Sequence, residues 1–112
     1  MKLFSGHRAF LLQRLSAVVL LAALAAGTLR LAFGPPVTFA QWQAWSAQPL
    51  GAGVLLVLAL AVLAHAWVGL RDVVLDYIHP LGLRLAVLIA VATGLVSLAV
   101  WTSVILAVHL MA

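Results

Sequence analysis

His65, Gly69, Asp72, Asp76 and Tyr77 are the residues of this 112-residue chain whose types and spacing bear on chemistry. They lie in HAWVGLRDVVLDY, residues 65–77, after a run of Leu, Val, Ala and Gly and just ahead of a histidine–proline pair. At about 100° per residue, a helix through this stretch places His65, Gly69, Asp72 and Asp76 within about 60° of one another, as a single polar stripe. Tyr77 lies about 100° around from Asp76. Arg71 is read as projecting nearly opposite Asp72, which makes it an interface anchor rather than an intrahelical partner of the stripe.

Depth separates the chemistry open to each. His65 sits ~9 Å below the boundary that Arg71 marks, inside hydrocarbon. A neutral imidazole there carries one donor and one acceptor that lipid cannot satisfy, so it must face protein or a cofactor. Gly69, one turn on, removes a side chain and makes room for a flat group against the helix. That pair suits axial ligation of a haem; a histidine hydrogen-bonded to a neighbouring helix, with a glycine for close packing, meets the same demands. Asp72 reads as a solvated helix end. Asp76 beside Tyr77 could hold and deliver protons to a bound carbonyl, but a tyrosine at the headgroup level is also ordinary membrane belt, and the residues alone leave the two readings level. His109 differs from His65 in depth by ~20 Å, so the two cannot share an iron. His7 and His79 fall outside the hydrocarbon, and a second axial ligand must therefore come from another chain.

The elements that would position these residues follow from composition. The chain is 67% hydrophobic and 7% charged, against roughly 25% charged in a soluble domain, and its mean hydropathy is +1.27. It cannot cover itself with a hydrated surface, and the expected fold is an all-α membrane protein of one transmembrane domain over residues 1–112, in contact with the lipid bilayer. Three spans are expected, over about residues 11–33, 50–72 and 84–110, the helical pattern of the second running on to Tyr77. Gly34-Pro35-Pro36 breaks the first span. The stretch TFAQWQAWSAQPLG then reads as a short interfacial helix capped by Thr38, with Trp42 and Trp45 at the headgroup level. His79-Pro80 and Gly82 form the turn before the third span. Ala23-Leu24-Ala25 resembles a signal-peptide cleavage site, but the basic segment before it is long, and a first span is the reading preferred.

Of the six basic residues, Lys2, Arg8, Arg14, Arg71 and Arg84 fall on one side of such a three-span chain and Arg30 on the other. The positive-inside rule then puts the N-terminus in the cytoplasm and the C-terminus on the periplasmic side. The basic residues flank apolar runs and form no basic face, so no nucleic-acid partner is expected. With no cysteine, the chain holds no disulfide, Cys-ligated zinc, iron–sulfur cluster or thiol nucleophile.

HAWVGLRDVVLDYIHPLGLRL, residues 65–85, resembles the signature of the small membrane-anchor subunit of bacterial succinate dehydrogenase, the D-type subunit. The pattern is His-x-x-x-Gly, a short helical stretch, Asp-Tyr, a turn, and a basic residue opening the last span. Gln13-Arg14-Leu15-Ser16-Ala17 at the first-span entry fits as well. The resemblance implies that His65 is an axial ligand of haem b, with Gly69 packing beside it and the second ligand on a larger, cytochrome b-type anchor subunit. It implies that Tyr77 hydrogen-bonds a ubiquinone carbonyl and that Asp76 is the neighbouring acid linked to quinone protonation. Arg14 matches a first-span arginine near the haem propionates, and His7 is a looser match to an N-terminal histidine near the same groups. A flavoprotein subunit and an iron–sulfur subunit would complete the complex in the bacterial inner membrane. Arg71 and Asp72 receive no role from the resemblance.

Two rival readings accompany it. One is the anchor of a fumarate reductase or another haem b or quinone complex. The other is a small transporter or a structural subunit in which the stripe is helix-packing glue and no chromophore is bound.

Overall fold

The computed structural model describes residues 6–112, so Lys2, one of the charges used for orientation, lies outside the described residues. Four helices follow in order: α1 (His7–Phe33), α2 (Phe39–Ser46), α3 (Pro49–Tyr77) and α4 (Leu81–Met111). A proline lies at or close to each break between helices. Gly34 is extended after α1, and its N–H bonds the Arg30 carbonyl while the Arg30 guanidinium donates to the Pro35 carbonyl at 2.9 Å. Pro49 opens α3 in its first turn, where a missing N–H costs nothing. Pro80 is the N-cap of α4.

The helices outrun the predicted spans. At 27, 29 and 31 residues, α1, α3 and α4 are about 40–47 Å long against a hydrocarbon thickness of about 30 Å. Backbone hydrogen bonding has no reason to stop at the lipid boundary, so α1 begins at His7 rather than near residue 11. Likewise α4 begins at Leu81, which places Gly82 in its first turn; the linker is Ile78 to Pro80. All three are long and apolar enough to cross a membrane, and the chain is a multi-pass membrane protein. Ala23–Ala25 lies within α1.

The helices form an open row rather than a closed bundle. α3 packs against both α1 and α4, whereas α1 and α4 do not meet among the described residues. α2 lies across the far end, against α3 and α4. Its start carries a full capping box: Thr38 Oγ1 accepts from the Gln41 N–H at 3.2 Å, and Gln41 Oε1 accepts from the Thr38 N–H at 3.0 Å. Trp42 and Trp45 lie with ring centroids 5.6 Å apart. The α2–α3 junction is tight, and a Cβ at Gly51 would land on the Trp45 carbonyl.

Core residues are few, because lipid or another chain must cover the rest. Ala9, Ala52, Val68 and Val74 are the buried apolar residues, and α4 has no buried residue. Apolar grooves of about 380 and 460 Å³ run beside α3, one against α4 at Leu63, Trp67 and Leu95, the other against α1 at Val19, Ala23 and Val57.

Candidate functional site

The only buried polar residues among those described are two serines, Ser16 on α1 and Ser46 on α2. Each sits against a histidine. Ser16 Oγ donates to the Gln13 carbonyl at 3.0 Å and lies 3.2 Å from His65 Nδ1 on α3. Ser46 Oγ donates to the Gln43 carbonyl at 3.1 Å and lies 3.0 Å from His109 Nε2 on α4. His109 Nε2 also lies 3.3 Å from the Gln43 carbonyl. These are polar contacts of the kind that hold helices together in lipid, where apolar faces gain little from meeting each other.

His109 is thereby accounted for, since it fastens the C-terminal turn of α4 to α2. His65 is satisfied on one nitrogen. Its ring is half-buried between α1 and α3. Nδ1 has Ser16, and Nε2 has no partner among the described residues. One turn on, a Cβ at Gly69 would meet nothing within 4 Å, so open space adjoins the helix there. A histidine with one nitrogen held and the other available, beside a helix face without a side chain, fits a flat metal-bearing ring.

α3 is continuous from Pro49 to Tyr77, so the stripe through His65, Gly69, Asp72 and Asp76 stands as one helix face. Asp76 lies ~16 Å along the axis from His65. Asp76 is exposed, and Tyr77, the last residue of α3, is 78% exposed. Arg84, in the first turn and a half of α4, reaches back to this end of α3. Its Nε donates to the Ile78 carbonyl at 2.9 Å and its Nη2 to the Leu75 carbonyl at 3.3 Å. A cation on the terminal carbonyls of a helix meets the negative end of its dipole. Arg84 therefore fixes the backbone on both sides of Asp76 and Tyr77.

Arg71 corrects the sequence reading. Its Nη2 lies 3.4 Å from Asp72 Oδ1. Neighbouring residues are only about 100° apart on a helix, and a guanidinium is long enough to swing back over that arc. With Asp72 more than half exposed, the pair contributes little to stability, about 0–1 kcal/mol.

Arg14 and His7 are exposed on α1 and share one stripe, about 20° apart around the helix. That stripe points about 160–180° away from Ser16. The Arg14 guanidinium lies over the Phe10 ring at 4.8 Å from its centroid.

A family model described as succinate dehydrogenase/fumarate reductase transmembrane subunit matches residues 2–102, from ahead of α1 to within α4. The chain belongs to that family. As a transmembrane subunit of this kind, it is a membrane anchor within a complex containing the other subunits of succinate dehydrogenase or fumarate reductase. Two positions in the anchor escaped sequence reasoning. Ser16 was visible only as part of the first-span motif, although a lone hydroxyl in an apolar run is a signal worth following. In the sequence Arg84 reads as the residue that opens the last span, and its hold on α3 depends on a tertiary approach that no local pattern announces.

Proposed function

We propose that this anchor subunit supplies one axial ligand to haem b, through His65 Nε2, and one wall of a ubiquinone-reduction site, at Asp76 and Tyr77. The observation that carries the reading is the His65 environment: Nδ1 engaged by Ser16, Nε2 without a protein partner among the described residues, and clear space beside Gly69. When bound, the haem supplies one-electron redox chemistry. The second axial ligand comes from the larger cytochrome b-type anchor subunit, because His109, at the far end of α4, lies ~20 Å from His65 in depth and cannot share its iron. Arg14 and His7 are given no role in this reading, because both lie on the face of α1 opposite Ser16.

At the cytoplasmic end of α3, the Tyr77 phenol donates a hydrogen bond to a quinone carbonyl oxygen. Asp76, on the adjoining face, passes protons from the aqueous side to that oxygen as it is reduced. Two electrons reach the quinone from the iron–sulfur subunit, which receives them from succinate oxidised at the flavoprotein subunit; with two protons they yield the quinol. Both residues are exposed in the isolated chain, so the partner anchor provides the facing wall. Succinate oxidation is favoured over fumarate reduction by the His-x-x-x-Gly and Asp-Tyr spacing, which resembles the succinate dehydrogenase anchor. The proposed setting is the bacterial inner membrane, with the N-terminus cytoplasmic by the distribution of basic residues.

The test is a dithionite-reduced optical spectrum of the complex purified with its partners, beside His65→Ala. The expected result is a b-type spectrum that the substitution abolishes or alters. A spectrum unaffected by His65→Ala would remove the ligand assignment, and a complex with no haem would favour a purely structural anchor.

A further inference from the structure

Ser16 does more than tie α1 to α3. A serine hydroxyl has one proton and two lone pairs. The Ser16 proton is directed to the Gln13 carbonyl at 3.0 Å, so towards His65, at 3.2 Å, the oxygen offers only a lone pair. Nδ1 must then carry the imidazole proton and donate it, and Nε2 is left with the lone pair. We infer that Ser16 is a positioning residue that sets the His65 tautomer and strengthens Nε2 as an iron ligand, an inference that rests on the haem reading above.

The surroundings make the device specific. Ser16 is 5% exposed, so water does not compete for its hydroxyl. Of the other serine hydroxyls described, Ser46 meets His109 at the far end of the row, whereas Ser97 and Ser103 donate to carbonyls four residues back in α4 and touch no titratable group. An imidazole whose N–H is held by an acceptor is a more basic ligand through its other nitrogen. A stronger donor stabilises the oxidised iron over the reduced iron and lowers the potential of the couple. Ser16, which belongs to neither the Asp-Tyr pair nor the His-x-x-x-Gly pattern, would therefore tune the haem from behind its ligand.

Ser16→Thr and Ser16→Val in the complex purified with its partners isolate the hydroxyl, because threonine and valine share a shape and differ in that group. The readouts are the haem midpoint potential by redox titration and the low-spin ferric g-values by electron paramagnetic resonance, with His65→Ala alongside. The expected result is that Ser16→Thr keeps the wild-type potential and g-values, whereas Ser16→Val shifts the potential upward and moves the g-values, or loses the haem. Thr and Val variants that cannot be told apart, while His65→Ala abolishes the b-type spectrum, would overturn the role of Ser16 and leave the haem reading intact. A His65→Ala complex with an unaltered spectrum would overturn both.

Discussion

Tyr77 ends α3 and is exposed beside Asp76, and its proposed role at the quinone rests on one hydroxyl. Tyr77→Phe keeps the ring and deletes that donor. The expected outcome is unchanged haem content and a fall of about tenfold in succinate-to-quinone turnover, the worth of about one hydrogen bond to a polarised oxygen. The rate with a soluble dye that accepts electrons upstream should stay at the wild-type level. Unchanged quinone kinetics would take Tyr77 out of the site. At this scale the sequence was informative wherever one helix carried the whole pattern. His65, Gly69 and Asp76 share a face because α3 is regular, and periodicity alone gives that. The Ser16–His65 pair joins residues 49 apart, and which face of α1 meets α3 is decided by packing. Ser97 and Ser103 show that an intramembrane serine can equally be satisfied within its own helix, so the Ser16 hydroxyl flagged a position without naming its partner.

The elements were legible through their breakers. Prolines lie at or close to every break between helices, and the Thr38–Gln41 capping box was foreshadowed by a threonine three residues before a glutamine. Helix ends were less so, since the hydrophobic pattern stops at the membrane boundary while the backbone ladder runs on. The α2–α3 junction was not legible at all. Gly51 looks like any small residue in an apolar run, yet the Trp45 carbonyl occupies the place its Cβ would take, whereas Gly53 has nothing within 4 Å. Gly51→Ala must therefore push α2 away from α3, at a cost of about 1–3 kcal/mol, and Gly53→Ala must not. Thermal denaturation of the purified complex should show a lowered midpoint for the first and not for the second. Equal midpoints would mean that the junction relaxes freely.

For the whole molecule, three spans followed from composition, and the open row did not. Apolar content says how much surface must avoid water but not whether lipid or protein covers it. The row leaves α1 and α4 apart and every long helix with an uncovered apolar face, which suits a chain completed by a partner in its complex. Orientation is testable because the chain has no cysteine. Gln48→Cys, between α2 and α3, and Gly82→Cys, in the first turn of α4, lie at opposite ends of α3. In spheroplasts a membrane-impermeant maleimide should add mass to this subunit at position 48. Position 82 should react only after lysis, and the reverse pattern would invert the proposed topology.

The two serine–histidine contacts have a mechanical consequence. Apolar helices in lipid can slide past one another at little cost, since one leucine contact is much like the next. Slipping α1 by one residue would move Ser16 by ~1.5 Å and turn it by about 100° from His65. A slip of α4 would likewise separate His109 from Ser46. One contact joins α1 to α3 and the other joins α4 to α2, which is itself held on α3 through Gly51. The helices are thus pinned against axial shear at opposite ends of the row. A thinner or thicker bilayer would be met by tilting the row as a unit, with the height of His65 relative to its neighbours unchanged.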